Sequence, residues 1–265
     1  MKIVSILIIL VTITFNVKSQ DVNLQLKFDS IVIEANLLYN YEKAVWNSTD
    51  LLMANRKLKR NYGGYIVYHA NDTISVTFID KTKKSRIAKY SFVNSELNKP
   101  IKTSFEVTKL NSVEQELLDI KIKILNQLSD SKYEFVIPKG FNPNLVLIKE
   151  KSEFKLYVLM GTNESGIIPF GNDYLYRTDL KGNISSWKKF HSRMIPAQSE
   201  IPGIGKVISA THSHLRTTPY ITATDICTFR LYAHFTELKE FQVYSPAIGK
   251  SMKYDLKKNI IELIE

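Results

Sequence analysis

Two of the five histidines, His212 and His214, stand one residue apart, and Thr222 and Asp225 follow them after a polar stretch containing Pro219. Each of these residue types has a use in hydrolytic metal chemistry. Imidazole and carboxylate bind zinc, and a site with three such ligands leaves a fourth position for water, whose pKa the ion lowers towards neutrality. A hydroxyl can donate to the oxyanion formed when that water attacks a carbonyl. The spacing suits convergence, because side chains at i and i+2 of an extended segment leave the same face about 6 to 7 Å apart.

Such side chains need elements to hold them. Lys206 to His212 is short, β-branched and preceded by Pro202-Gly203, which predicts a buried strand ending at the histidines. Ile226, Phe229, Tyr232 and Ala233 follow Asp225 at helical spacing, so the intervening loop returns the acid towards the rings. The same Thr222-Ala-Thr-Asp225 run is also an ordinary capping box, an alternative that needs no metal.

The order His, any residue, His, seven residues, Ser or Thr, two residues, Asp resembles the JAMM (MPN-type) metalloprotease pattern, filled here by His212, His214, Thr222 and Asp225. The resemblance implies zinc held by His212, His214 and Asp225, with Thr222 where the family places an oxyanion-stabilising serine. It also implies a glutamate as general base on an earlier strand. Glu153, opening Glu153-Phe-Lys-Leu-Tyr-Val-Leu-Met-Gly161, is similar to that segment, and Glu164 and Glu150 are the alternatives. One position departs from the pattern: Leu215 stands where the family usually has proline, which bears on activity more than on fold.

The start of the chain has the parts of a secretory leader. Met1-Lys2 precedes an apolar run from Ile3 to Phe15, and Val17-Lys18-Ser19-Gln20 offers a cleavage site after Ser19. The expectation is a signal peptide over 1–19, an exported chain in the periplasm or outside the cell, and no transmembrane segment once the leader is removed; an uncleaved anchor is the alternative. Removing Lys2 and Lys18 lowers the formal net charge of +10 by two. The remaining lysines are scattered, as in Lys57-Leu-Lys-Arg60 and Lys81-Thr-Lys-Lys84, without the interleaved aromatics of a single-strand groove, so no nucleic-acid partner is expected. A lone cysteine, Cys227, forbids an internal disulfide and reads as core.

The remaining elements follow from periodicity. Ile31, Leu38, Val45, Leu52 and Leu58 lie at helical spacing before Gly63-Gly64, and Tyr65–Tyr68, Ile74–Ile79 and Ile87–Phe92 read as a three-stranded meander. Ser112-Val-Glu-Gln115 reads as a capping box opening a helix to Leu128. Strands over 145–148 and 154–160, hairpins between 166 and 190, and closing strands over 241–244, 251–256 and 259–263 complete the chain. His69 and His234 read as structural and surface residues. His191, close to Trp187, reads as packing, with a substrate-side role as the alternative.

The fold class expected is α+β: a helix-plus-β-meander region over 20–105, then a JAMM-like domain over 112–265 with a mixed central sheet flanked by helices. The function expected is that of a secreted zinc-dependent hydrolase of amide or isopeptide bonds, acting on a peptide or protein. The alternative is a catalytically inactive module of the same fold that binds a partner, or a structural envelope protein.

Overall fold

In the computed structural model the described residues are 2–264, with side chains described for 23–264. The expected leader, 1–19, lies outside the residues whose side chains are described. Among the described residues no helix is long and apolar enough to cross a membrane.

The fold is α+β. A long helix, α1 (Lys2–Ala54), gives way at Asn55, whose side chain caps a short second helix, α2 (Arg56–Asn61). The core face of α1 carries Ile31, Ala35, Leu38, Val45 and Leu52, all buried, the i, i+3, i+4 stripe that an amphipathic helix lays against a core. The meander follows as β1 (Tyr62–Ala70), β2 (Thr73–Asp80) and β3 (Ser85–Val93), antiparallel throughout, with β4 (Lys102–Ser104) and β5 (Thr108–Lys109) both paired to β3. Helix α3 (Ser112–Gln127) is capped one residue earlier than the sequence suggests. Asn111 accepts from Glu114 N, and the Glu114 carboxylate answers Asn111 N, because the amide side chain reaches the third turn position as well as a serine would.

Strands β6 (Phe141–Lys149), β7 (Phe154–Thr162), β8 (Ile167–Gly171), β9 (Tyr174–Thr178) and β10 (Ile184–Lys189) come next. Four of them form an antiparallel sheet in the order β10-β9-β7-β6, while β8 leaves it to pair with β11 (Met194–Gln198). A small hairpin, β12 (Glu200–Ile201) with β13 (Gly205–Lys206), precedes β14 (Ser209–Ser213), so the strand carrying His212 is shorter than Lys206–His212 suggests. It is also an edge strand, in which His212 alone is buried, and not a buried one. The chain then crosses through α4 (Ala223–Tyr232) into β15 (Glu240–Ser245), which runs parallel to β14 and is followed by antiparallel β16 (Lys250–Asp255) and β17 (Ile260–Ile264). The main apolar core runs from Phe28, Leu38 and Leu52 of α1 through the meander to Ile226 and Phe229 of α4 and Phe241, Val243 and Ile261 of the last sheet. The N-terminal helix and the C-terminal part thus share one core.

Candidate metal centre

The β14–α4–β15 crossover explains why a spacing read from sequence brings side chains together. In a parallel unit the loop after the first strand and the start of the helix lie at the same end of the sheet, the end where such folds build sites. His212 sits in β14 opposite Val243, and His214, just beyond, continues the ladder through its N–H to Tyr244 O at 3.0 Å. The two rings leave one face with centroids 5.2 Å apart. At the opening of α4, Thr222 caps the helix: its hydroxyl accepts from Asp225 N, and Asp225 Oδ2 accepts from the Thr222 N–H and hydroxyl at 3.0 and 2.6 Å. The capping box is therefore real, and it leaves Asp225 Oδ1 free to face the histidines.

A third ring joins them. Gly171, at φ +86°, and Asn172, at φ 50°, make a tight connection between β8 and β9, in which a Cβ on Gly171 would meet Arg193 O at 2.3 Å. That turn sets Asp173 beside the end of β10, where Phe190 N donates to Asp173 O. His191 follows directly, its Nδ1 2.6 Å from Asp173 Oδ1, while the Thr224 hydroxyl donates to Asp173 Oδ2. His191 is thus no packing partner of Trp187, whose ring stacks on Tyr176 instead. Nothing in its spacing announces it, because it reaches the site from another sheet; a histidine directly after a strand end was the only signal.

Four donors converge: His191, His212, His214 and Asp225, all buried, offer ligand atoms within 4.8 Å of one another. The hydrogen bonds behind them fix which atoms point inwards. His214 Nδ1 lies 2.7 Å from Tyr220 O, which can only accept, so Nδ1 carries the proton and Nε2 presents a lone pair. His191 Nδ1 donates to Asp173 in the same manner. Such outward donation to a carbonyl or carboxylate is the usual support of a metal-binding imidazole. His212 differs: its Nδ1 is buried without a partner, and its ring is held by stacking on Phe241 at an interplanar angle of 5°.

The inward atoms repel one another unless protons or a metal cation lie between them. His191 Nε2 is 2.9 Å and His212 Nε2 is 3.2 Å from His214 Nε2. Asp225 Oδ1, buried and without a hydrogen bond, is 3.4 Å from His191 Nε2 and 3.7 Å from His212 Nε2, and Oδ2 is 3.2 Å from His214 Nε2. A proton can bridge only two of these atoms, whereas a tetrahedral ion answers all four. With zinc–ligand bonds of about 2.0 to 2.1 Å, the edges of such a tetrahedron are about 3.3 Å, in the middle of the separations observed. The donor set of three imidazoles and a carboxylate fits zinc.

The fields are correspondingly strong. Burial opposes charge on His191, but Asp173 and Asp225 outweigh it and raise the ring to about 9. At His212 burial prevails over the pull of Asp225, with repulsion from His214 and His191 adding to it, and the ring falls to about 4. Despite its burial, Asp225 is held well below the usual carboxylate range by the three imidazoles.

The other expected residues lie elsewhere. Glu153 does not join the group: its carboxylate pairs with Arg177 and lies 3.9 Å from Lys155 Nζ. The register gives the reason. Phe154 pairs with Thr178 and Val158 with Tyr174, so Glu153 and Asp173 sit at opposite ends of that strand pair, about 20 Å apart at 3.3 Å per residue. Glu150 is bound to Lys155 at 2.5 Å, and Glu164 is exposed in the turn after β7. The Thr222 hydroxyl is engaged with Asp225 and Thr224 in the cap. Cys227 is fully buried, and burial pushes its thiol well up. His69 packs on Tyr41, and His234 is exposed against Phe235.

No family model, no curated protein and no solved structure matches the chain, and the centre stands on its own geometry.

Proposed function

We propose that this chain is an exported protein that binds zinc through His191, His212, His214 and Asp225, and that it acts as a binding module in which the ion ties elements together and does not hydrolyse a substrate. The observation that carries this reading is the fourth donor. His191 Nε2 stands at ligand-to-ligand distance from His214 and Asp225, so every corner of the tetrahedron is a protein atom. Four-ligand shells without an open position are those of structural zinc. Held there, the ion supplies a positive charge that cross-links the end of β10, the end of β14 and the first turn of α4.

The JAMM resemblance in strand, loop and helix order supports a shared ancestry of the fold, while the pairing of Glu153 with Arg177 at the far end of the sheet supports an inactive member. Export is supported by the leader-like start at 1–19.

One observation favours a second reading, hydrolysis of an amide or isopeptide bond. The Asp173–His191 pair could move a proton at Nε2 if only His212, His214 and Asp225 held the ion. His191→Ala separates the two. On the binding reading the variant loses zinc together with His212→Ala; on the hydrolytic reading it keeps zinc and loses turnover. Cleavage of fluorescein-labelled casein by the zinc-loaded protein, abolished by chelation, would overturn the binding reading.

A further inference from the structure

Away from the metal centre, a cavity of about 420 Å³ opens between α1, the start of β1, the β6–β7 hairpin and α4. The wall from α1 is a helical stripe, Glu42, Val45, Trp46, Thr49 and Asp50, spaced so that all face one way. Opposite, Asn142 and Asn144 of β6 stand beside Gly161 of β7, where a Cβ would come within 3.1 Å of the Asn144 amide nitrogen and 3.2 Å of the Tyr232 hydroxyl. The glycine thus keeps space open where any side chain would intrude. Tyr62, Tyr65 and Tyr232 supply ring surface along with Trp46.

Glu42 is the residue that the fold alone does not account for. It is 5% exposed, and its Oε1 is buried without a hydrogen-bond partner. Leaving a carboxylate in that condition is costly, and native interiors rarely tolerate it without a reason. Among the described residues the cation that acts on it, Lys121, is committed elsewhere: its Nζ donates to Tyr65 O at 3.3 Å and Leu145 O at 3.4 Å and lies 4.2 Å from the centre of the Tyr65 ring. Burial pushes the Glu42 carboxyl up to about 7, with Lys121 opposing. In a chain with a net charge of +10, a concavity with two acids among four aromatic rings selects against anions and for cations.

We propose that this cavity is a binding site for an organic cation, an alkylammonium or guanidinium group on an unbranched stem, whose charge meets Glu42 and whose stem lies against Trp46 and the tyrosines. Ring faces attract such cations, and the Asn142 and Asn144 side-chain carbonyls can accept the remaining N–H groups. A neutral sugar would use the same rings and amides but would leave the carboxylate unanswered.

The test uses the full chain with Trp187→Phe, so that Trp46 is the remaining tryptophan, and follows its fluorescence against n-butylammonium chloride, n-butylguanidinium chloride, n-butanol and glucose. The expected result is saturable quenching or enhancement by the two cations, at least tenfold tighter than by n-butanol or glucose, and at least tenfold weaker in Glu42→Gln with unchanged circular dichroism. Absence of saturation by both cations, equal binding of n-butanol or glucose, or unchanged cation affinity in Glu42→Gln would overturn the proposal. If Glu42→Gln does not fold, the comparison of n-butylammonium with n-butanol in the Glu42-containing protein decides by itself.

Discussion

The candidate metal centre and the Glu42 cavity are both buried polar sites, but they are built in opposite ways. At the centre, polar atoms crowd together and nearly all have a fixed role: Asp173 and Tyr220 orient two rings from outside, and Thr222 anchors the acid. What is left over, converging lone pairs within 4.8 Å, has the size and charge demand of a single ion. In the cavity one carboxylate faces open space and its potential counter-charge, Lys121, is bound to backbone carbonyls. A crowded cluster specifies a point charge; a buried acid without a partner in a roomy, ring-lined pocket specifies a larger ligand or a proton.

The largest expected effect breaks the first half of that comparison. Zinc at a thousand times its dissociation constant should stabilise the native chain by about 4 kcal/mol, a rise in melting temperature of roughly 8 to 16 °C for a protein of this size. His214→Ala should abolish the rise, as measured by thermal unfolding with and without zinc; a zinc-dependent rise that survives the substitution places the ion elsewhere.

The next effect belongs to the cavity. Because the folded-state Glu42 holds its proton to about 7, above the ordinary 4.5, the native state binds more protons than the unfolded chain between these values, and stability falls as pH rises through the window. Glu42→Gln removes that slope. Relative to the parent, the variant should gain up to roughly 3 kcal/mol between pH 4.5 and 7 and no more above it. Lys121, lowered from 10.5 to about 8 by burial against the pull of Glu42, gives the mirror image, with stability rising as pH climbs from 8 towards 10.5. Parallel urea-denaturation profiles for parent and Glu42→Gln across this range would contradict the assignment.

Asp173→Asn sharpens the comparison by leaving all four ligands in place. Losing the carboxylate behind His191 should weaken zinc binding by about 10- to 100-fold, read by chelator competition, with little loss of fold. Glu153→Gln should do least. It removes a partly exposed ion pair with Arg177 worth about 0 to 1 kcal/mol, and zinc affinity should not change; a tenfold loss would return Glu153 to the site.

How much of this could be read in the chain depended on distance along it. His212, His214, Thr222 and Asp225 belong to one strand–loop–helix unit, so local spacing sufficed to bring three ligands together. The capping reading and the metal reading of Thr222–Asp225 were competitors on paper, yet one carboxylate serves both, Oδ2 in the cap and Oδ1 towards the rings. The α1 stripe, the meander and the closing strands β15 to β17 were legible because each buries one periodic face. His191 was not, since the turn at Gly171–Asp173 and the departure of β8 to pair with β11 are tertiary events that bring a different sheet to the site. Glu153 illustrates the converse. Its segment has the right composition, but the register of β7 against β9 carries it to the far end of the sheet. Glu42 was hidden for a third reason: an acid on a long helix looks solvated until the helices and strands that cover it are known.

The most direct test is X-ray absorption at the zinc edge of purified, zinc-loaded protein beginning at Gln20, with metal content measured on the same sample. The expected result is about one zinc per chain in a shell of four nitrogen and oxygen neighbours at about 2.0 to 2.1 Å, with the multiple scattering of three imidazoles. A chain that retains well under one zinc, or a shell with two imidazoles and an exchangeable solvent oxygen, would contradict it.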